Sequence, residues 1–508
     1  MSCSGKSQPH VVCVPFPAQG HINPFMQLAR ILHFNGFHVT FVNSELNQKR
    51  IAKFLGPNFV KNQHGFHFET IPDGLPPPQD DANHHDNTAL CDSTRKHCLE
   101  PFKDLLMKLN SSSEVPNVSY IISDGAMSFA IKAAQELKIP EAQFWTTSAC
   151  GFMAYLQFGE LANRGIIPFK DQESITECVL NNPIDWIPGM KNIRLKDMPS
   201  FIRTTTLEET MFDFMGSEAQ NCLKSSTIIF NTFQDLELEV LDAIKNDTFP
   251  NIYNIGPLPF LGSHVFNNNK DKLMSHGSSS LWLEDSSCLN WLDKWQPNSV
   301  VYVNYGSWTV MSEDHLKEFA WGLANSNHPF LWIIRDNIVM GESAILPMEF
   351  SNEIRDRGYI TSWCPQEKVL SHSSIGVFLT HCGWNSVIEA LCGGVPIICW
   401  PFFADQQTNC RYVCANWRFG VELRHDVERG EVAEVVKEMM EGEIGRELKK
   451  NVLEWRKKAL EATHVGGSSY NDFNRYFLAE IEGPEQKSDS ETEKDCRCCW
   501  ILTSLHSK

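Results

Sequence analysis

The sequence predicts an α/β protein of two Rossmann-like halves, each a doubly wound parallel sheet, facing one another across a cleft. Three observations predict it. Short apolar, β-branched runs alternate with amphipathic helical stretches from the first residues onward. The alternation restarts after a stretch rich in Gly, Pro, Asn, Ser and Lys between Pro257 and Ser280. The length, 508 residues, exceeds what one hydrophobic core of at most about 300 residues organises.

His10–Phe16 reads as a strand, Pro17–His21 as a turn and Ile22–Asn35 as a helix ended by Gly36; His38–Val42 is the next strand. Strand, helix and strand with short joints make a right-handed parallel unit. The rhythm returns at Tyr120–Ser123, Ala126–Leu137 and Glu141–Trp145. In the second half the strands are Ser299–Tyr305, Phe330–Ile334, Tyr359–Ser362, Val377–Thr380 and Val395–Trp400, with a helix at Glu313–Ala324. The expected division is residues 1–256, a linker at 257–280, residues 281–482 with a last helix returning to the first domain, and a polar, disordered tail at 483–508.

A net charge of −18 argues against nucleic acid or an anionic membrane as the main partner, yet helix ends and local amides still bind small anions. The 17 cysteines show no zinc-finger spacing and, being odd in number, read as free thiols of a reducing compartment. No signal-peptide pattern and no apolar run of about 18 residues occurs, so a cytosolic, non-inserted protein is expected. His84-His85-Asp86 sits in a polar, Pro-preceded stretch and reads as a surface loop; no metal is expected.

The chemistry concentrates in Trp363–Gln406. Trp363 lies at the carboxyl end of one expected strand, His381 to Trp384 at the end of the next, and Asp405 with Gln406 beyond a third. That edge is where open α/β sheets bind ligands. Gly383 permits close backbone approach, and Asn385 and Ser386 add side-chain donors beside the free N–H groups of a helix start, an anion site. Glu389, on the same helical face, suits a ribose diol; Trp363 offers a flat face for a base, and Asp405 and Gln406 suit sugar hydroxyls.

That segment resembles the donor signature of plant UDP-dependent glycosyltransferases, which likewise runs from tryptophan to glutamine. FPAQGHINPFMQLA, SDGAMSFA, FWTTSACGFMAYLQ, VVYVNYGSWTVMS and LANSNHPFLWIIR are similar to the same family, so the resemblance covers about Pro9 to Ile481. Within it the chain most resembles the branch acting on cyanohydrins, cytokinins, iridoids and terpenoids. The resemblance implies the GT-B fold, with a UDP-sugar in the C-terminal half and a small hydroxylated acceptor in the N-terminal half. It implies that Trp363 stacks on uracil, with Cys364 beside it, and that Gln366 and Glu389 bind ribose. Ser307, His381, Asn385 and Ser386 would hold the diphosphate. Trp384, Asp405 and Gln406 would hold glucose, with Thr146 reaching its far side. No cofactor beyond UDP-glucose as co-substrate is implied, and a monomer is expected.

His21 is the candidate base. At a helix start the imidazole stays neutral and accepts a proton, and Asp124, at the end of a neighbouring strand, would fix its tautomer. Trp308 and Val377 depart from the family pattern, and both are expected near the cleft edge. Two rivals are weaker. A nicotinamide-dependent oxidoreductase needs G-x-G-x-x-G after the first strand, where Pro17-Ala18-Gln19-Gly20-His21 stands. A nucleotide-sugar binder without transferase activity has no need of a base.

Overall fold

The computed structural model describes residues 8–57, 60–61, 64–76, 87–266, 280–339 and 346–480. The first sheet contains β1 (His10–Val14), β2 (His38–Ser44), β3 (Phe66–Ile71), β4 (Val118–Asp124) and β5 (Glu141–Trp145). A small antiparallel pair, β6 (Pro183–Ile184) and β7 (Ile193–Arg194), stands apart, and β8 (Ile228–Phe230) and β9 (Ile252–Asn254) complete the first sheet. The second sheet contains β10 (Val300–Asn304), β11 (Phe330–Ile333), β12 (Gly358–Thr361), β13 (Ile375–Thr380), β14 (Ile397–Cys399) and β15 (Gly420–Glu422).

The order is β3-β2-β1-β4-β5-β8-β9 in the first sheet and β12-β11-β10-β13-β14-β15 in the second, with every pairing parallel. This is the two-domain GT-B arrangement. Each order reverses direction once, between β1 and β4 and between β10 and β13. Connections leave toward opposite sides there and open a crevice at the strands' carboxyl ends.

The strands at these switch points are apolar throughout because helices cover both faces; every residue of β1 and of β13 is buried. Val377 is one of them. It pairs with Val301 and is fully buried in the core of the C-terminal sheet. The expectation that it narrows the cleft edge is therefore corrected: a position in mid-strand carries its side chain into the core, away from the carboxyl edge.

One apolar core runs through the domain boundary. The Trp384 indole donates to the Asn231 carbonyl at 3.0 Å, and the Trp417 indole to the Leu236 carbonyl at 2.8 Å. A buried Trp keeps its N–H satisfied in this way. The chain's last described segment crosses back to the first domain. The Asn254 N–H donates to Asp472 at 3.0 Å, the Ser469 hydroxyl to the Gly256 carbonyl at 2.6 Å, and Phe473, Tyr476 and Phe477 join the core beneath the helix Gln19–Phe34. Phe477 is fully buried, so Phe477→Ala is expected to cost about 3 kcal/mol, read as a lower urea midpoint with an unchanged slope.

Candidate active site

The helix after β1 begins at Gln19, three residues earlier than the sequence suggests, and ends at Phe34. The Ala18 carbonyl accepts from both His21 N (3.0 Å) and Ile22 N (2.9 Å), which starts the helix without a side-chain cap. His21 therefore lies inside the first turn. Its Nδ1 is 2.7 Å from Asp124 Oδ2 and 2.9 Å from Thr146 Oγ1. Asp124 is itself fixed, because its Oδ1 accepts from Ala126 N at 2.9 Å. With Nδ1 engaged, Nε2 is the nitrogen left to the cavity that His21 lines.

That cavity is about 540 Å³, within the range of small-molecule sites, and both switch points open into it. One end is walled by Trp363, whose ring stacks on Trp282 at 4.7 Å and 30°, and by Gln366. The Gln366 amide oxygen accepts from Tyr302 (2.9 Å) and Asn304 (2.7 Å), and its amide nitrogen donates to Ser386 (3.1 Å) and Glu389 (2.7 Å). One side chain thus ties β10 to the helix Trp384–Gly393. Cys364 turns its thiol inward against the Tyr302 hydroxyl at 3.3 Å. The Trp384 indole N–H is likewise engaged, by the Asn231 carbonyl, and both residues line the cavity.

The next part of the wall is built on the carboxyl ends of β10 and β13. Gly306 has φ +75°, and a Cβ there would collide with the His381 ring; only glycine lets Ser307 follow so close to that imidazole. Burial, with Arg335 nearby, lowers the His381 pKa to about 4, so the ring is a neutral N–H donor at physiological pH. Cys382 (φ +65°) and Ala404 (φ +59°) are left-handed non-glycine residues in two loops that border the cavity, a cost of about 1–3 kcal/mol each that the surrounding packing must hold. Ala404 is held by Ser200 of the other domain, through Ser200 N to Ala404 O at 3.0 Å and Ala404 N to Ser200 Oγ at 2.9 Å. Asp405 accepts from Asn409 at 2.8 Å, and burial raises its pKa to about 6. Gln406 points its amide oxygen at the N–H groups of Phe402 (2.8 Å) and Phe403 (3.0 Å), which orients its amide nitrogen. Under this loop the sulfurs of Cys382, Cys399 and Cys410 lie within 4.8 Å of one another, and burial keeps Cys382 and Cys399 well above the usual thiol range. Residues 84–86 lie outside the described residues.

All fourteen sequence-predicted residues line this cavity or, like Asp124, hold one that does. Thr146 is placed on the base itself. Sequence reasoning missed the polar stripe Gln19, Asn23, Gln27 and Arg30, whose helical spacing was the visible signal. Gln27 donates to Glu367 across the interface, and Arg30 keeps Nε and Nη2 buried without a hydrogen-bond partner among the described residues. Trp308 lies with Phe16, Phe403, Phe214 and Met211 in the apolar end beside His21.

The chain matches the family described as UDP-glucoronosyl and UDP-glucosyl transferase over residues 59–457. It is 56% identical over 480 residues to linamarin synthase 1 of Manihot esculenta, covering 94% of this chain and 98% of that one. It is 54% identical over 469 residues to a 7-deoxyloganetin glucosyltransferase of Gardenia jasminoides, covering 92% and 96%. Os79 of O. sativa, solved in complex with UDP, superposes with a TM-score of 0.77 at 27% identity, covering 92% of this chain and 99% of Os79. The chain belongs to this family and is a UDP-sugar-dependent glycosyltransferase of the plant type.

Burial, with Glu367 as neighbour, raises Glu389 to about 8, so it carries its proton at neutral pH. A ribose diol donating to it favours the charged form and lowers that value. UDP-glucose binding at pH 7 is therefore expected to release a proton, with affinity rising as pH approaches 8. Calorimetric heats should vary with the buffer's ionisation enthalpy in the unchanged protein and lose that dependence in Glu389→Gln.

Proposed function

We propose that the protein transfers glucose from UDP-glucose to a hydroxyl of a small lipophilic acceptor, with inversion, giving a β-O-glucoside. The single observation carrying this reading is His21, held at Nδ1 by Asp124 and open at Nε2, in the same cavity as the Trp363–Gln406 loops. The acceptor hydroxyl gives its proton to Nε2 as its oxygen bonds to the anomeric carbon. The bond from that carbon to the diphosphate oxygen breaks, and its electrons leave with UDP. Asp124 stabilises the imidazolium so formed.

Charge developing on UDP is met by donors already in place: the N–H groups at the start of Trp384–Gly393, the neutral His381 ring, Ser307 and Ser386. This donor set supports transfer without a metal ion. Trp363 stacks on uracil, Gln366 and Glu389 take the ribose, and Asp405 and Gln406 take the hexose. The apolar end formed by Phe16, Trp308, Phe403 and Met211 suits a compact hydrocarbon skeleton, and the names of the relatives support a cyanohydrin or iridoid alcohol. One chain supplies the whole cavity, which supports a monomer. Among the described residues no helix is long and apolar enough to cross a membrane, and we place the enzyme in the cytosol.

The test is acceptor-dependent UDP release over a panel of alcohols, with the products identified by mass. His21→Ala is expected to lower turnover by about 10²–10⁴-fold while leaving UDP affinity within about twofold. UDP-glucose binding with no acceptor-dependent release would instead describe a binding protein.

A further inference from the structure

In an α-helix the carbonyl of each residue accepts the N–H four positions later. The helix Gln19–Phe34 contains Pro24, which has no N–H, so the carbonyl of Gly20 is left without its helical partner. In the structure that carbonyl accepts from Asn385 Nδ2 at 2.6 Å. Asn385 belongs to the other domain and is the second residue of the helix Trp384–Gly393, whose start borders the cavity. Gly20 directly precedes His21, and the His21 ring rests on Asp124. A single hydrogen bond therefore joins the main chain before the base to the helix that meets the diphosphate.

We infer that Pro24 is a positioning residue: by withholding an N–H it keeps the Gly20 carbonyl open to Asn385, and so couples occupancy of the donor site to the placement of His21. The inference rests on the function proposed above. Asn385 keeps its second amide hydrogen and its main-chain N–H for the diphosphate, so holding Gly20 and meeting UDP are compatible. Any other residue at position 24 supplies an N–H that shares the Gly20 carbonyl and weakens the bridge. The adjacent Gln19 Oε1 accepts from Leu281 N at 2.6 Å, which holds the first helical turn against the segment leading into the second domain.

The full-length protein, Pro24→Ala, Asn385→Ala and the double variant are compared by steady-state kinetics, UDP-glucose calorimetry, thermal unfolding and amide exchange of residues 18–24 with and without UDP. Pro24→Ala restores a helical hydrogen bond, so its Tm is expected to stay level or rise. Its donor affinity should stay within about twofold and its kcat fall about fivefold, the scale of one lost hydrogen bond. The double variant should be no slower than Asn385→Ala alone. UDP should slow exchange at residues 18–24 in the unchanged protein and do so less in Pro24→Ala. An unchanged kcat with unchanged exchange protection in Pro24→Ala would overturn the inference, as would multiplicative effects in the double variant. If the unchanged protein released no UDP with any acceptor, the proposed function would be what failed, and the exchange experiment alone would decide the link.

Discussion

The contact between His21 Nδ1 and Asp124 at 2.7 Å exists because β1 and β4 are neighbours in a sheet whose order reverses between them. Residues about 100 positions apart in the chain meet only because two parallel strands end side by side with no helix packed across their ends. The C-terminal sheet repeats the device between β10 and β13, whose following residues Ser307 and His381 both line the cavity. The two crevices share one cavity because an apolar interface, with Trp384 and Trp417 donating across it, holds the two domains together. The placement of His21, His381 and the loop before Asp405 around one cavity depends on that registration.

The site's electrostatics follow from burial more than from net charge. A protein of charge −18 lines this cavity with neutral groups: an imidazole whose pKa of about 4 leaves it uncharged at neutral pH, helix-end amides and hydroxyls. Nearby carboxyls are pushed up by the same burial, Glu389 to about 8, Glu367 to about 7 and Asp405 to about 6. The cavity thus carries less negative charge than its composition suggests, which lowers the repulsion a diphosphate meets on entry.

Much of this was legible in the sequence. Continuous apolar runs ending in polar or glycine-containing turns marked the central strands, and the ordered spacing of Trp363, Asn385, Glu389 and Gln406 singled out residues that line one cavity. What stayed hidden had physical reasons. β8, β9 and β15 are three residues each, too short for periodicity to show. The helix starts at Gln19 because of a main-chain contact to Ala18 rather than a capping side chain, so no residue type announced it. The Trp384 indole faces another domain, and side-chain direction at a helix start cannot be read from spacing. Trp282 backs Trp363 from outside the signature, and Gln27 reaches Glu367 from more than three hundred residues away. Pairings between domains leave no local pattern.

The central claim is that a base on one sheet and a leaving diphosphate on the other act from opposite faces of the same anomeric carbon. The most direct test is the anomeric configuration of the first-formed product, read by proton NMR during turnover of UDP-α-glucose with an accepted alcohol. In-line displacement requires the β-glucoside, and no α-product before any slow equilibration. An α-glucoside as the first product would contradict the account, because His21 and the diphosphate cradle could not then lie on opposite sides of the sugar.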